Sequence, residues 1–134
     1  GWLTRDGAKA YSESIIQPPL SPPALVFPIV WGILFVLMGI GAARIYLASP
    51  SRERTSSLRI FLLQLAFNFF WSILFFNFQA FGAALVWLVI LWGLILWMIT
   101  SFHKVDPLAA WMQVPYLLWV TFAAYLNYGV WILN

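Results

Sequence analysis

The sequence has no cysteine, a single histidine and very few charged side chains, namely seven Lys or Arg and four Asp or Glu among 134 residues. The lack of cysteine excludes disulfides, cysteine-ligated zinc and thiol nucleophiles. One histidine excludes a metal site built from several histidines, so we expect no metal. The charged fraction of 8% is far below the roughly 25% of a soluble domain. An ordinary soluble globular domain is therefore excluded.

Charge is also missing from two long stretches of the chain. Ile60–Phe102 and Pro107–Asn134 contain no Asp, Glu, Lys or Arg. Proton relays, ion-coupled pumps and acid–base catalysis need titratable groups at membrane depth. The sequence therefore disfavours these functions and predicts no catalytic residues. The net charge of +3 does not come from a basic cluster on a soluble scaffold, which excludes a nucleic-acid partner.

The sequence contains long apolar segments instead. Hydrophobic residues make up 63% of the chain, and a membrane-spanning helix needs about 20 predominantly apolar residues. The predicted fold class is an all-α transmembrane helix bundle that forms a single domain over residues 1–134. The predicted spans are Pro22–Ala48, Leu58–Phe78, Ala80–Phe102 and Leu108–Leu133.

The connections between these spans follow from proline, glycine and length. Residues 4–23 are polar and rich in proline, which fixes φ, so we expect a stiff lid over one end of the bundle. The uncharged run Ile60–Phe102 would measure about 65 Å as one helix, twice the bilayer thickness. We expect it to fold back at Asn77–Gly82, where polar side chains and a glycine cluster. Pro115 is expected to kink the last span, and Ser56 or Ser57 to cap the second.

The predicted orientation rests on the basic residues near the ends of the spans. One end of the bundle is expected to hold Arg44, Arg52, Arg54, Arg59 and Lys104, and the other end Arg5 and Lys9. The end with more Lys and Arg is expected to be cytoplasmic, which places loops 49–57 and 103–107 inside the cell. We expect a multi-pass protein of a bacterial cell membrane.

Polar side chains recur along one face of the second predicted span. Gln64, Asn68 and Ser72 are spaced by four residues, which places them on one side of a helix, and Trp71 flanks that side. Asn, Gln and Ser commonly join helices within membranes by hydrogen bonds. Interhelical bonding and a ligand-cavity wall are both consistent with this stripe, and different members can serve different roles.

Tryptophan is the second signal in the interior. Trp71, Trp92 and Trp119 fall near the middle of their spans, where each indole N–H needs a partner that lipid does not supply. Packing against another helix is one explanation. In the last span, however, one helical face carries Tyr116, Trp119, Ala123 and Asn127. Aromatic surface beside a small residue is the pattern expected of a pocket for a flat ligand.

Three segments of the sequence together resemble one known family, namely Pro18–Trp31, Gln64–Trp71 and Pro115–Trp119 followed by Asn127. In order and spacing they are similar to the TspO/MBR family of tryptophan-rich sensory proteins and translocator proteins, also called peripheral-type benzodiazepine receptors. The resemblance implies five transmembrane helices, of which this chain is expected to retain only the exit of the first, around Gly1–Thr4. It also implies a homodimer and a receptor for porphyrins and drug-like apolar molecules.

The resemblance implies a pocket among the helices, under the first loop. With the faces described above, the predicted ligand-binding residues are Phe27, Trp31, Gln64, Asn68, Trp71, Tyr116, Trp119 and Ala123, with Pro18, Pro22 and Pro23 in the lid. No obligatory cofactor is expected, and a porphyrin is the expected ligand. Neither Tyr125 nor Tyr128 is followed by a basic residue, so the sterol pattern of the animal proteins is missing.

The leading functional prediction is a membrane receptor that binds protoporphyrin-like tetrapyrroles. The alternatives are light-dependent porphyrin degradation, with tryptophans as electron donors, and a transport or regulatory role in tetrapyrrole or lipid traffic. Asn68 separates binding from helix packing. We expect Asn68→Leu to weaken ligand binding by about 0.5–1.5 kcal/mol, or about 2- to 13-fold, with little change in melting temperature.

Overall fold

The computed structural model describes residues 25–134, all of whose regular structure is helical. Its helices are α1 (Val26–Tyr46), α2 (Arg52–Ser72, continued by a π-helical turn over Ile73–Asn77), α3 (Phe81–Val105), α4 (Pro107–Trp111) and α5 (Val114–Leu133). The predicted lid at residues 4–23, with Pro18, Pro22 and Pro23, lies outside the described residues. So do Arg5 and Lys9 of the predicted orientation.

Four helical segments of the described part are long and apolar enough to cross a membrane. They cover Val26–Tyr46, Arg52–Asn77, Phe81–Val105 and Pro107–Leu133, and measure 21, 26, 25 and 27 residues. Each exceeds the length of about 20 residues that a bilayer requires. The prediction of an all-α bundle is confirmed, with four spans among residues 25–134.

The second helix begins earlier than predicted. It starts at Arg52 rather than Leu58, because Ser51 has an extended backbone and its Oγ accepts a hydrogen bond from the Arg54 backbone N–H at 3.0 Å. The expectation of a cap at Ser56 or Ser57 is therefore wrong. The prediction assigned Arg52, Glu53 and Arg54 to the connection before the span, but charged side chains are compatible with a helix that continues beyond the apolar layer.

The reversal between the second and third spans lies where the sequence predicts it. The π-helical turn ends at Asn77, and α3 begins at Phe81. Between them Gln79 has a φ of 51°, in the left-handed region that an L residue rarely adopts. The Ala80 backbone N–H then donates to the Leu74 carbonyl at 2.9 Å, which closes the turn.

The last span is interrupted near Pro115. Helix α4 ends at Trp111 and α5 begins at Val114, so that Pro115 lies in the first turn of a new helix. Proline lacks the N–H that a continuous helix would direct at the Trp111 carbonyl. The predicted kink is therefore a break between two helices, and Gln113 lies at the break.

Helix α3 is the centre of the bundle. It packs against α2, α4 and α5, while α1 packs against α2 and α4. The core side of α3 is almost completely buried and consists of Ala84, Leu88, Leu91, Ile95, Met98 and Phe102. Its other side leaves Val86, Val89 and Trp97 more than half exposed, as expected for a surface in contact with lipid. This arrangement leaves α5 to meet α1 and α2 chiefly through long side chains.

Candidate functional site

The polar stripe of α2 meets a tyrosine of α5. The Asn68 Nδ2 donates a hydrogen bond to the Tyr116 hydroxyl at 2.8 Å, and that hydroxyl donates to the Gln64 Oε1 at 2.8 Å. Gln64, Asn68 and Tyr116 are only 0%, 3% and 1% exposed. We call these three residues the polar cluster. It joins α2 to α5 in the bundle interior, where no water is available to replace a lost hydrogen-bond partner.

A second polar connection between the same two helices lies about one turn further along α2 and about three turns further along α5. The Trp71 Nε1 donates to the Asn127 Oδ1 at 3.1 Å, and the Asn127 Nδ2 donates to the Phe81 carbonyl at 2.7 Å. The ring of Trp71 also stacks on Phe75 with 5.2 Å between centroids. These contacts tie α2 to α5 and α5 to the start of α3. The indole N–H of Trp71 thus has a partner within the protein, as a buried indole requires.

These contacts bear on the two explanations of the stripe. Gln64, Asn68 and Trp71 each bond to another helix or pack within the core, which is the interhelical role. Ser72 differs, because it is only partly buried and its Oγ donates to the Asn68 carbonyl of its own helix at 3.4 Å. A ligand contact of Gln64, Asn68 or Trp71 stays a prediction.

Aromatic side chains of α1 and α5 meet on the other side of Tyr116. Phe27 lies edge-to-face with Trp119 at 5.9 Å, and Trp31 lies edge-to-face with Tyr116 at 6.1 Å. Phe27, Trp31 and Trp119 are each half-buried, and we call them the aromatic cluster. Ala123 follows Trp119 by one turn on α5 and is 7% exposed. The structure thus brings together the predicted residues of α1 and α5.

The two clusters define the chemistry available to this region. The aromatic cluster offers ring faces, and Ala123 adds a small apolar neighbour. Tyr116 is the only member of either cluster with an ionisable side chain. Within residues 25–134, no group of three His, Asp or Glu side chains is arranged to hold a metal ion. The half-buried rings of the aromatic cluster therefore have surface on which an apolar molecule could stack, whereas the polar cluster is buried and bonded within itself.

Two other mid-span tryptophans also find partners within the protein. The Trp92 Nε1 donates to the Thr121 Oγ1 at 2.9 Å, so α3 and α5 are joined near the bundle surface. The Trp87 Nε1 donates to the Phe67 carbonyl at 2.8 Å, and its ring stacks on Phe67. Trp87 was not among the predicted residues, although a tryptophan inside an apolar span is the same signal. Both residues stabilise helix packing away from the two clusters.

Gln113, at the break between α4 and α5, was also missed. It is completely buried, and its Nε2 donates to the Leu37 carbonyl at 3.3 Å and to the Ala109 carbonyl at 3.4 Å. Its Oε1 has no hydrogen-bond partner among the described residues. The amide lies against Gly41, whose missing side chain leaves the room for it. The available signal was a polar residue two positions before a proline inside an apolar span.

The basic residues of the described part gather at one end of the bundle. The Arg44 Nε binds the Asp106 carboxylate at 2.6 Å, and the Arg54 Nε donates to the Tyr46 carbonyl at 3.0 Å. The hydrogen bond from Arg44 holds the pKa of Asp106 below its usual value. Segments 49–57 and 103–107 therefore lie at the same end, as predicted, although they are mostly helical instead of loops. Which side of the membrane this end faces stays a prediction.

Comparison with known proteins agrees with this architecture. The family model described as the TspO/MBR family matches residues 1–132. The "Tryptophan-rich protein TspO" of Chlorobaculum tepidum is 37% identical over 133 residues, which cover 98% of this chain and 84% of the relative.

Two further relatives come from a bacterium and an animal. "Protein CrtK" of Rhodobacter capsulatus is 36% identical, with 93% of this chain and 79% of the relative covered. The "Translocator protein" of Bos taurus is also 36% identical, with 96% of this chain and 77% of the relative covered. The match extends over nearly the whole chain and agrees with four helices able to span a membrane. The chain therefore belongs to the TspO/MBR family and is an integral membrane protein.

Proposed function

We propose that the protein is a membrane receptor for porphyrins and similar flat apolar molecules, and that the ligand binds at the aromatic cluster between α1 and α5. The observation that carries the proposal is that Phe27, Trp31 and Trp119 keep part of their ring surface exposed beside a buried, hydrogen-bonded tyrosine. Membership of a family whose members are named sensory and translocator proteins is consistent with a receptor.

The ring geometry supports a planar ligand. Edge-to-face pairs such as Phe27 with Trp119 leave one ring face of a pair turned away from its neighbour. A tetrapyrrole covers several such faces at once, and most of its binding free energy comes from buried apolar area. Ala123, one turn from Trp119 on α5, adds a small apolar side chain next to the cluster.

The polar cluster fixes the position of Tyr116 next to the aromatic cluster. Tyr116 contacts Trp31 with its ring and binds Gln64 and Asn68 with its hydroxyl, so its ring is held at both ends. A ring whose position is fixed before binding loses little conformational entropy when the ligand arrives. We assign Tyr116, which is 1% exposed, to holding the Trp31 ring in position, and Gln64 and Asn68 to holding Tyr116 in place. Trp71 secures the same helix pair through Asn127.

The proposal is tested by titrating protein in lipid nanodiscs with protoporphyrin IX in the dark and following the fluorescence anisotropy of the porphyrin, with empty nanodiscs subtracted. Darkness keeps photobleaching out of the signal. A fluorescent nonplanar apolar molecule of similar hydrophobicity is titrated in the same way as the second ligand. We expect saturable binding of the planar ligand alone. Equal signals from both ligands, or from filled and empty nanodiscs, would overturn the proposal.

Variants locate the site. Trp31→Ala and Trp119→Ala each remove an aromatic contact worth about 0.5–1.5 kcal/mol, so we expect a 2- to 13-fold weaker affinity, to order of magnitude. Trp97→Ala is the matched control, because Trp97 is 54% exposed on the lipid-facing side of α3. Wild-type affinity in both cluster variants would remove this site assignment, and so would an equal loss in Trp97→Ala.

A further inference from the structure

A cleft of about 360 Å³ lies between the end of α3 and the α4–α5 break, away from both clusters. Its walls are Ile99, Thr100, His103, Lys104, Ala110, Trp111 and Val114. Most of the exposed wall is apolar. The two basic residues lie in the last turn of α3, at the end of the bundle where the other basic residues gather. The cleft therefore has an apolar floor and a rim that carries the Lys104 ammonium beside the His103 imidazole.

The break in the last span creates this cleft. A continuous helix from Pro107 to Leu133 would pass α3 without interruption, whereas α4 and α5 are separate helices that meet at Met112 and Gln113. Ala110, on the α4 wall, is small and 2% exposed, so it adds depth without filling the space. Trp111, on the same wall, is 66% exposed and lies near the end of its span, the position that tryptophan takes at a membrane surface.

Lys104 differs from two other basic residues at this end. Arg44 is paired with Asp106, and Arg54 binds the Tyr46 carbonyl and lies 5.1 Å above the Tyr46 ring. Lys104 is exposed and forms no salt bridge with the carboxylates of residues 25–134. Its ammonium is therefore available to an anion from outside the chain.

We propose that this cleft binds one anionic phospholipid. The phosphate lies at His103 and Lys104, and an acyl chain lies along Ile99 and Val114. The charge of the rim favours an anion. The apolar wall favours a ligand that also has an acyl chain, because a soluble anion has no apolar part to bury there. A peptide or nucleic acid would have to reach a cleft that opens beside lipid-facing side chains such as Trp97, whereas a phospholipid of the adjacent leaflet is already there.

Native mass spectrometry tests the proposal on the whole chain released from nanodiscs that contain equal amounts of phosphatidylglycerol and phosphatidylcholine with identical acyl chains. We expect one retained phosphatidylglycerol per chain, favoured over phosphatidylcholine by about fivefold, the effect of one Lys near a membrane surface. Lys104→Gln should abolish most of that preference. His103→Gln with Lys104→Gln should abolish the remainder.

Arg59→Gln is the matched control, since it removes one exposed positive charge at the same end of the bundle but outside the cleft. It should keep the wild-type preference. Val114→Trp, which fills the cleft without changing charge, should lower retention of both lipids, with the melting temperature measured to confirm folding.

Three results would overturn the proposal. The first is equal retention of the two lipids by the wild type. The second is an equal loss of preference in Arg59→Gln and Lys104→Gln, because attraction would then be a general property of the basic end. The third is displacement of the lipid by millimolar glycerol phosphate, because the acyl chain would then contribute nothing. None of these tests depends on porphyrin binding.

Discussion

The side chains on the two sides of Tyr116 differ in how much of their surface is exposed. On one side its hydroxyl joins Gln64 and Asn68, which are nearly inaccessible and hydrogen-bonded between helices. On the other side its ring meets Trp31, a half-buried member of the aromatic cluster. A group whose partners are all within the protein stabilises the fold. A group with exposed apolar surface can bury that surface against a ligand. With the proposed binding site, the residues that hold the helices and those that would bind ligand lie on adjacent sides of Tyr116.

Replacement of the buried Trp71 should change stability far more than replacement of the exposed Trp97. Trp71 is 5% exposed, stacks on Phe75 and donates to Asn127. We expect Trp71→Ala to lower the free energy of unfolding by about 3–5 kcal/mol, because it leaves a cavity and an unpaired Asn127 oxygen. Trp97→Ala should cost less than about 0.5 kcal/mol. Detergent unfolding followed by circular dichroism measures both, and similar losses would contradict the distinction.

The close contact between Gly41 and Gln113 gives an intermediate effect. A Cβ at position 41 would overlap the Gln113 amide nitrogen and lie 3.3 Å from the Ala109 carbonyl oxygen. We expect Gly41→Ala to destabilise the protein by about 1–3 kcal/mol, because the Gln113 side chain must leave its acceptors.

Gln113→Ala tests the cause of that loss. In the double variant Gly41→Ala with Gln113→Ala, the Gly41→Ala penalty should fall by more than half, because the overlapping amide is gone. A double-mutant cycle measured by thermal unfolding gives the coupling between the two sites. Strict additivity would show that the Gly41 penalty has another origin.

The exposed ion pair at the basic end gives the smallest effect. Arg44 and Asp106 are 44% and 19% exposed at their side chains, so solvent screens their attraction. We expect Arg44→Gln to cost about 0.2–1 kcal/mol at neutral pH. Because Arg44 depresses the Asp106 pKa in the folded state, this stability is present above the unfolded pKa of about 3.9 and is lost as the pH falls through the lower folded value.

The measurement is thermal unfolding of the wild type and Arg44→Gln across this pH range. The difference in melting temperature should be constant from neutral pH down to about pH 5 and disappear in stronger acid. A difference that persists after Asp106 is protonated would mean that Arg44 stabilises the bundle through its aliphatic stem instead of its charge.

The sequence predicted the helices and their faces better than the contacts between them. Uncharged length and the polar turn at Asn77–Gly82 located the spans because lipid imposes strong demands on both. The spacing of Gln64 and Asn68 located a face because helical geometry is fixed. Spacing does not determine which helix that face meets, so the pairing with Tyr116 appeared only in the structure. The choice of capping residue among neighbouring serines was also not predicted. Ser51 caps α2, whereas the sequence favoured Ser56 or Ser57, which lie nearer the apolar run.

Asn68 and Trp119 together test the central claim, which is that buried polar contacts hold the helices while half-buried rings bind ligand. The sequence alone favoured a ligand contact for Asn68. Its 3% exposure and its hydrogen bond to Tyr116 favour the structural role. The measurement is the protoporphyrin dissociation constant of Asn68→Leu and of Trp119→Ala, each set beside its unfolding free energy without ligand.

We predict that Asn68→Leu lowers the unfolding free energy by about 0.6–2 kcal/mol, the range of interhelical hydrogen bonds in membranes, and changes affinity less than Trp119→Ala does. Trp119→Ala should weaken protoporphyrin binding by about 2- to 13-fold with a smaller effect on stability. The opposite pattern, with affinity lost in Asn68→Leu and retained in Trp119→Ala, would contradict the account.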